Sequence, residues 1–425
     1  MLTTSPADCS ALILPDLHQL AIQTGLISRK SSKFTADGFL QSLLSSVVTG
    51  QGSSNQIASE LKERVGQAMS RQSLHERFSP SSTAFLLAVC GHLMKQRFEP
   101  SCEALSQSGI TEIFVEDASG QAMPKANSES FPAHGNHHGK TAGVKIDFAY
   151  DLLSGAVIFH SLEGATTQDK TIGKEAIAVL KVGTLVLRDM GYFSLAEFSE
   201  IERQLAFWLT RLPLTTGVVF ENGKALETRL KSRNQDIYDL TVRAGEGKKR
   251  CRLIAVRADE KTAQKRRSQR RKRAQEKGTK PCPKGLVRDG WHLMLTNLTA
   301  AQSPTSQLVK LYRARWAVEI QFRAWKQSCN LDKALNRRSN EDHLTALVLA
   351  GMILHQLGMK IAQVIGARVG RWRLSYEKLY DLLAVYMVKA KTSQILRDFS
   401  PDPRHITRDK RTRQSPIESA LISLT

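Results

Sequence analysis

The chain has 425 residues and 41% hydrophobic content, enough for two or three domains with real cores. Its 61 Lys and Arg against 40 Asp and Glu leave a formal charge of +21 at pH 7, with a pI near 9.9. That excess points to a polyanionic partner, nucleic acid before a membrane surface, and the six scattered cysteines, with no Cys-x-x-Cys pair, exclude a zinc ribbon and a disulfide scaffold.

The N-terminus lacks the basic-then-apolar pattern of a secretory signal, so a cytoplasmic chain is expected. Residues 1–108 read as a helical region. Phe39 to Val48 is an apolar-periodic run, and Ser53-Ser54-Asn55 can cap a helix that Gly66 stops. Ser70 can cap another, SRQSLHERFS. Two short helices about a turn apart resemble a helix-turn-helix, and Arg71, Gln72, Ser73, His75 and Arg77 suit phosphate and base-edge contacts. A further helix is expected from Thr83 to Lys95.

At Thr111 the pattern changes. Ile113-Phe114-Val115 predicts a buried strand that exits through Glu116, Asp117, Ala118 and Ser119. A polar loop over 120–142 carries His134, His137 and His138. With no helix to fix their spacing, these read as solvated rather than as a metal site. Gly143 to Leu162 alternates on either side of Leu152-Leu153-Ser154-Gly155, a β-hairpin signal, with His160 structural. A helix near 169–180 leads to the strand Thr184–Leu187, which ends in Arg188-Asp189-Met190-Gly191-Tyr192-Phe193. A short helix and a strand from Ala206 to Thr210 follow. This order predicts an α/β fold, a ribonuclease H-like mixed sheet flanked by helices, as a catalytic core whose first part is 109–210.

Between 211 and 298 the pattern breaks into a basic, β-rich insertion. Its short β-like runs are Asp239–Arg243, Leu253–Val256 and Trp291–Thr296. The stretch from Lys261 to Gly285 is dense in Lys and Arg, Arg270 and Arg271 among them, and reads as a disordered loop or a phosphate-binding arm. The core's second part, 299–400, includes apolar helices near 341–366 and 374–389. Leu344 to Leu354 is too short to span a bilayer and is expected to be a core helix. A basic tail, 401–425, closes the chain.

The stretch from Leu311 to Lys333 has no Pro and no Gly and predicts one helix. Leu311, Ala314, Val318, Phe322, Trp325 and Cys329 fall on one apolar face. Tyr312, Arg315, Glu319 and Lys326 form a stripe beside it. One carboxylate in line with two cations and a phenol can serve a divalent metal and phosphates. Asp117 and Asp189, at strand ends, complete a set of three carboxylates with Glu319. Converging carboxylates repel unless a cation joins them. Two Mg²⁺ ions about 3.5–4 Å apart would do so and would support in-line phosphoryl transfer.

These residues carry a resemblance. Tyr312, Arg315, Glu319 and Lys326 match the Tyr-x2-Arg-x3-Glu-x6-Lys signature of DDE transposases of bacterial insertion sequences at every spacing. Asp189-Met190-Gly191-Tyr192-Phe193 resembles that family's second motif, and Val115-Glu116-Asp117-Ala118-Ser119 the first. The likeness runs from about Phe39 to Gly358. It implies a metal-binding catalytic triad of Asp117, Asp189 and Glu319, served by Mg²⁺ or Mn²⁺. It also implies DNA contacts by Tyr312, Arg315 and Lys326, and stacking of a flipped base on Trp291, whose other reading is an ordinary core residue of a β-strand. The expected activity is cleavage at insertion-sequence ends and strand transfer, on double-stranded DNA, by a homodimer in the synaptic complex, in the cytoplasm at the nucleoid. The rival readings are a transposase-derived DNA-binding protein without catalysis and a nuclease without strand joining.

Overall fold

The computed structural model describes residues 15–28, 34–95, 108–136, 139–152, 156–232, 234–315, 319, 322, 323, 325, 326, 329–337, 339–369, 374–389 and 401–407. The chain forms two compact units. The first gathers Met1–Pro100, Asp117–Gln168 and Trp316–Ser415, and the second holds Ser101–Glu116 and Asp169–Arg315.

In the first unit, local chemistry sets the helix ends as the sequence suggests. Thr35 caps Ala36–Thr49 by accepting the Gly38 N–H, and Gly50 ends that helix at φ 70°. A Ser53–Gln56 capping box starts Ser54–Val65, and Gly66 ends it at φ 78°. Ser70 caps a helix of only five residues, Arg71–His75. The expected second helix of a helix-turn-helix is therefore a single turn and a half. Helix Glu341–Val369 is apolar on most sides and packs on Pro80–Lys95 and Ala36–Thr49. Its one stretch long and apolar enough to cross a membrane is 94% buried within the fold, so it is a core helix.

Strand β1 spans Glu112–Met123 and is common to both units. It continues well past Val115, because β3 offers it a partner strand. Strands β2 (Pro132–Asn136), β3 (Gly139–Asp151) and β4 (Val157–Gly164) belong to the first unit. β3 lies between β1 and β4 and pairs antiparallel with β4, Phe148 opposite His160. β2 pairs with β3, so much of the expected 120–142 loop is strand. His134 is exposed there, and His137 and His138 lie outside the described residues. Residues 153–155 of the hairpin turn do too.

In the second unit, β5 (Thr184–Leu187) pairs parallel with β1, from Glu112 opposite Thr184 to Val115 opposite Leu187. It also pairs parallel with β6 (Phe207–Arg211). Helices Asp169–Ile177 and Leu195–Arg203 precede these two strands. The antiparallel arm β4–β3–β1 and the parallel arm β1–β5–β6 make the mixed, ribonuclease H-like order that the pattern predicts.

The insertion does not form a separate sheet. Its strands are β7 (Val218–Val219), β8 (Ile237–Ala244), β9 (Lys249–Arg257) and β10 (Trp291–Thr296). β10 pairs antiparallel with β6 and with β9, which extends the row to β1-β5-β6-β10-β9-β8-β7. Most of the basic run is not a disordered loop: Glu260–Glu276 is a 17-residue helix capped by Asp259. No Pro or Gly interrupts it, and Lys, Arg, Gln and Ala all favour helix.

Candidate catalytic site

In the second unit, Asp189 follows β5 directly. It caps a short 3₁₀ turn, Met190–Tyr192, without a side-chain cap bond, and is half-buried. Helix Thr305–Ala314 carries Tyr312, with Arg315 as its cap residue. The start of that helix is pinned by Arg252, whose guanidinium grips Asp239 at 2.8 and 2.6 Å and reaches the Ser303 carbonyl at 2.8 Å. Thr305 Oγ1 donates to the same Asp239 at 2.7 Å. Burial pushes the Tyr312 phenol up to about 12, the Arg315 and Arg211 charges oppose this, and the Asp189 charge adds to it. Tyr312, Arg315 and Asp189 are thus brought within one electrostatic neighbourhood, and Tyr312 enters it as a neutral hydroxyl.

In the first unit, Asp117 sits half-buried on β1 and accepts the Ala118 N–H at 3.0 Å. Glu319 and Lys326 are helical and half-buried. Between them Phe322 and Trp325 are buried against Phe148 of β3, with ring centroids 5.9 and 6.1 Å away. Trp325 Nε1 donates to the Gly351 carbonyl at 3.0 Å. Both polar residues of the stripe are therefore held by the apolar anchors beside them. Lys326 Nζ donates to the Gly120 carbonyl of β1 at 3.0 Å. Burial lowers its pKa, and the Asp117 charge works against that shift.

The single helix expected from Leu311 to Lys333 is interrupted. The first helix closes at Ala314, and Asn330, at φ 43°, separates Cys329 from helix Leu331–Leu335. Leu311, Phe322, Trp325 and Cys329 of the expected apolar face are buried. Of the other two, the side chain of Ala314 and the whole of Val318 lie outside the described residues.

Glu116, the acid beside Asp117, is not placed to hold a metal. It is fully buried and ion-paired with Arg188, itself 1% exposed. Arg188 also meets Glu197 at 3.3 Å and the Gly173 carbonyl at 2.7 Å. Burial raises the Glu197 carboxyl, with Arg188 opposing. Sequence reasoning misses this cluster. The available signals are two charges, Glu116 and Arg188, each ending an apolar run.

Other nominated DNA contacts sort by what they touch. Arg71 and Gln72 are exposed. Arg77 is not available: its guanidinium lies over the Phe34 ring at 4.8 Å and donates to the Leu26 carbonyl at 3.4 Å. Arg270 forms a two-pronged bond with Asp289, both at 2.7 Å, which ties its helix to the body of the insertion, while Arg271 is exposed on the other face. Trp291 is 4% exposed, with Arg257 over its ring at 5.7 Å and Tyr238 beside it. The open stacking face expected of it is not presented, because β10 runs through the interior of the sheet. Trp291 does line a cavity of about 470 Å³ with Met190, Arg211, Arg266, Arg273 and Lys277. Nothing in the sequence distinguishes Arg211, Arg266 and Arg273 from the other basic residues.

Among the described residues, no three Asp, Glu, His or Cys side chains are grouped as a ready metal cage. The nominated donors Asp117, Asp189 and Glu319 supply only carboxylate oxygens, which suits Mg²⁺ or Mn²⁺ rather than a soft metal.

The sequence model of the Transposase DDE domain family matches residues 109–354. The chain is similar to the transposase for insertion sequence element IS231B of Bacillus thuringiensis subsp. berliner, 26% identical over 94% of this chain and 87% of that one. It is also similar to the transposase for IS231D of Bacillus thuringiensis subsp. finitimus, 27% identical over 82% of this chain and 78% of that one. Among solved structures, a piggyBac transposase synaptic complex with hairpin DNA aligns at TM-score 0.45 and 13% identity over 95% of this chain and 85% of that one.

Proposed function

The chain belongs to the DDE-domain transposase family, a membership that implies divalent-metal dependence, and from that premise we propose that Asp117, Asp189 and Glu319 are its metal-binding triad and that it cuts the ends of its own insertion sequence and joins them to target DNA. The observation that carries this reading is that, within each unit, a residue of the signature stands beside a strand-end aspartate: Tyr312 lies within the field of Asp189, and Lys326 within that of Asp117.

When bound, two divalent ions supply an activated nucleophile and neutralise the leaving oxygen of an in-line displacement. The chain's own residues do the rest. Arg315 and Lys326 are cations set to hold phosphates of the DNA end. Tyr312, a neutral phenol at neutral pH, gives a phosphate a hydroxyl donor and not a repelling phenolate. The exposed cations Arg71 and Arg271 extend the contact along the duplex. Synapsis of two DNA ends calls for a dimer, acting in the cytoplasm at the nucleoid.

The test is strand transfer in vitro with Mg²⁺ and a labelled fragment bearing the element's own ends. Wild type should give cleaved and joined products, and Glu319→Gln should give neither while still retaining the DNA. Nicks without joining would favour a plain nuclease. Binding without cleavage by wild type would favour a DNA-binding protein.

A further inference from the structure

Arg188 is a buried charge of the second unit, 1% exposed, engaged from several sides. Its guanidinium is ion-paired with Glu116, reaches Glu197 at 3.3 Å and donates to the Gly173 carbonyl at 2.7 Å. The rings of Phe114 and Tyr192 flank it at 5.8 and 5.6 Å. These partners come from β1, helix Asp169–Ile177, helix Leu195–Arg203 and the 3₁₀ turn after Asp189. One rigid, planar group therefore ties together four of the elements that surround the end of β5.

The register gives this a particular meaning. Val115 and Leu187 are the last paired residues of the parallel strands β1 and β5. Glu116 and Arg188 come next, and Asp117 and Asp189 come after them. Side chains of extended backbone leave alternate faces. The ion pair therefore occupies one face just before each strand delivers its aspartate from the other. An apolar pair of equal volume would hold two strands together as well as a buried ion pair does. A forked arginine adds fixed direction, which apolar packing does not.

We propose that Glu116, Arg188 and Glu197 form a positioning clamp that sets the two strand-end aspartates for metal binding, Glu116 acting through Arg188 and never as a ligand. The proposal rests on the reading of Asp117 and Asp189 as metal ligands.

The experiment compares wild type, Arg188→Lys, Arg188→Met, Glu116→Gln, the double variant Glu116→Gln/Arg188→Met, and Asp189→Asn. Each full-length protein is measured for melting temperature, for Mn²⁺ binding without DNA by electron paramagnetic resonance, and for cleavage across a Mn²⁺ titration. The clamp predicts that Arg188→Lys and Glu116→Gln bind Mn²⁺ roughly 10- to 100-fold more weakly, with cleavage recovering at high Mn²⁺. It predicts that the double variant regains part of the melting temperature lost by Arg188→Met but not the metal affinity. Wild-type Mn²⁺ affinity in a folded Arg188→Lys overturns the proposal, even if the melting temperature falls. Should that variant not fold, Glu116→Gln decides on the same criterion. Loss of all Mn²⁺ binding in Glu116→Gln, as complete as in Asp189→Asn, would make Glu116 a ligand and also overturn it. The underlying reading fails separately, if Asp189→Asn still binds Mn²⁺ and cleaves.

Discussion

The two units hold their nominated catalytic residues by different physics. In the second unit, buried arginines do the holding. Arg188 fixes the approach to Asp189, and Arg252 fixes the helix that carries Tyr312. In the first unit, rings do it: Phe148, Phe322, Trp325 and His355 interlock around the helical residues that include Glu319 and Lys326. A charged clamp is directional, but failing one partner leaves a stranded ion. A ring cluster is insensitive to charge but leaves a void when it is cut. Each half should therefore break in its own way.

The largest effects separate the two modes. Arg188→Met leaves Glu116 and Glu197 buried without their cation and should cost about 3–5 kcal/mol in urea unfolding. Trp325→Ala should cost a similar amount, about 3–5 kcal/mol, through the cavity it opens. Only the first should be rescued by neutralising its partner, as in Glu116→Gln/Arg188→Met. Rescue of neither would erase the contrast.

Acid should act next, and the ring cluster is one place where it acts. Burial holds the His355 imidazole near a pKa of about 3, between Tyr150 and Tyr380. An unfolded histidine titrates near ~6.5. Below that value the unfolded chain takes up a proton that the folded chain refuses. The stabilisation is thus complete above ~6.5 and is lost as pH falls toward 3. Between pH 7 and pH 4 the loss should be on the order of 3 kcal/mol. Equilibrium unfolding across that range should show a slope that His355→Asn flattens. An unchanged slope would remove His355 from the account.

The smallest effect concerns the outer face of the insertion helix. Arg271→Ala and Lys272→Ala, both exposed, should leave stability unchanged. Each should weaken DNA binding evenly across sequences and lower the salt slope of log K by about 1 for each phosphate no longer neutralised. Arg270→Ala should instead destabilise the fold, because its bond to Asp289 ties that helix to the body of the insertion. Equal behaviour of Arg270 and Arg271 would contradict that division.

Much of the architecture is legible because it is written in local pattern. The caps at Ser53, Gly66 and Ser70, the strand at 184–187, and the apolar face of Phe322 and Trp325 follow from periodicity and turn chemistry. What stays hidden depends on partners far apart in sequence. Arg188 reads as an ordinary charge until Glu116, 72 positions earlier, is found against it. Arg77 and Arg270 read as DNA contacts because sequence cannot tell a cation facing solvent from one facing Phe34 or Asp289. Trp291 misleads for the same reason: a tryptophan in an alternating run fits a rim or an interior equally well. The basic run from Lys261 to Gly285 admits a disordered loop because its charge masks the helix-favouring residues of its first part.

The last strand of the row in the second unit, β7, is two residues long, Val218 and Val219 opposite Ala244 and Arg243. A full strand there would display a ladder of unsatisfied amides and carbonyls, a ready template for another chain. Two residues offer almost none, so the edge at this end of the row is shared with β8, of which β7 covers only Arg243 and Ala244. That edge is stepped, not straight, and a stepped edge gives an approaching strand no long run of backbone in register.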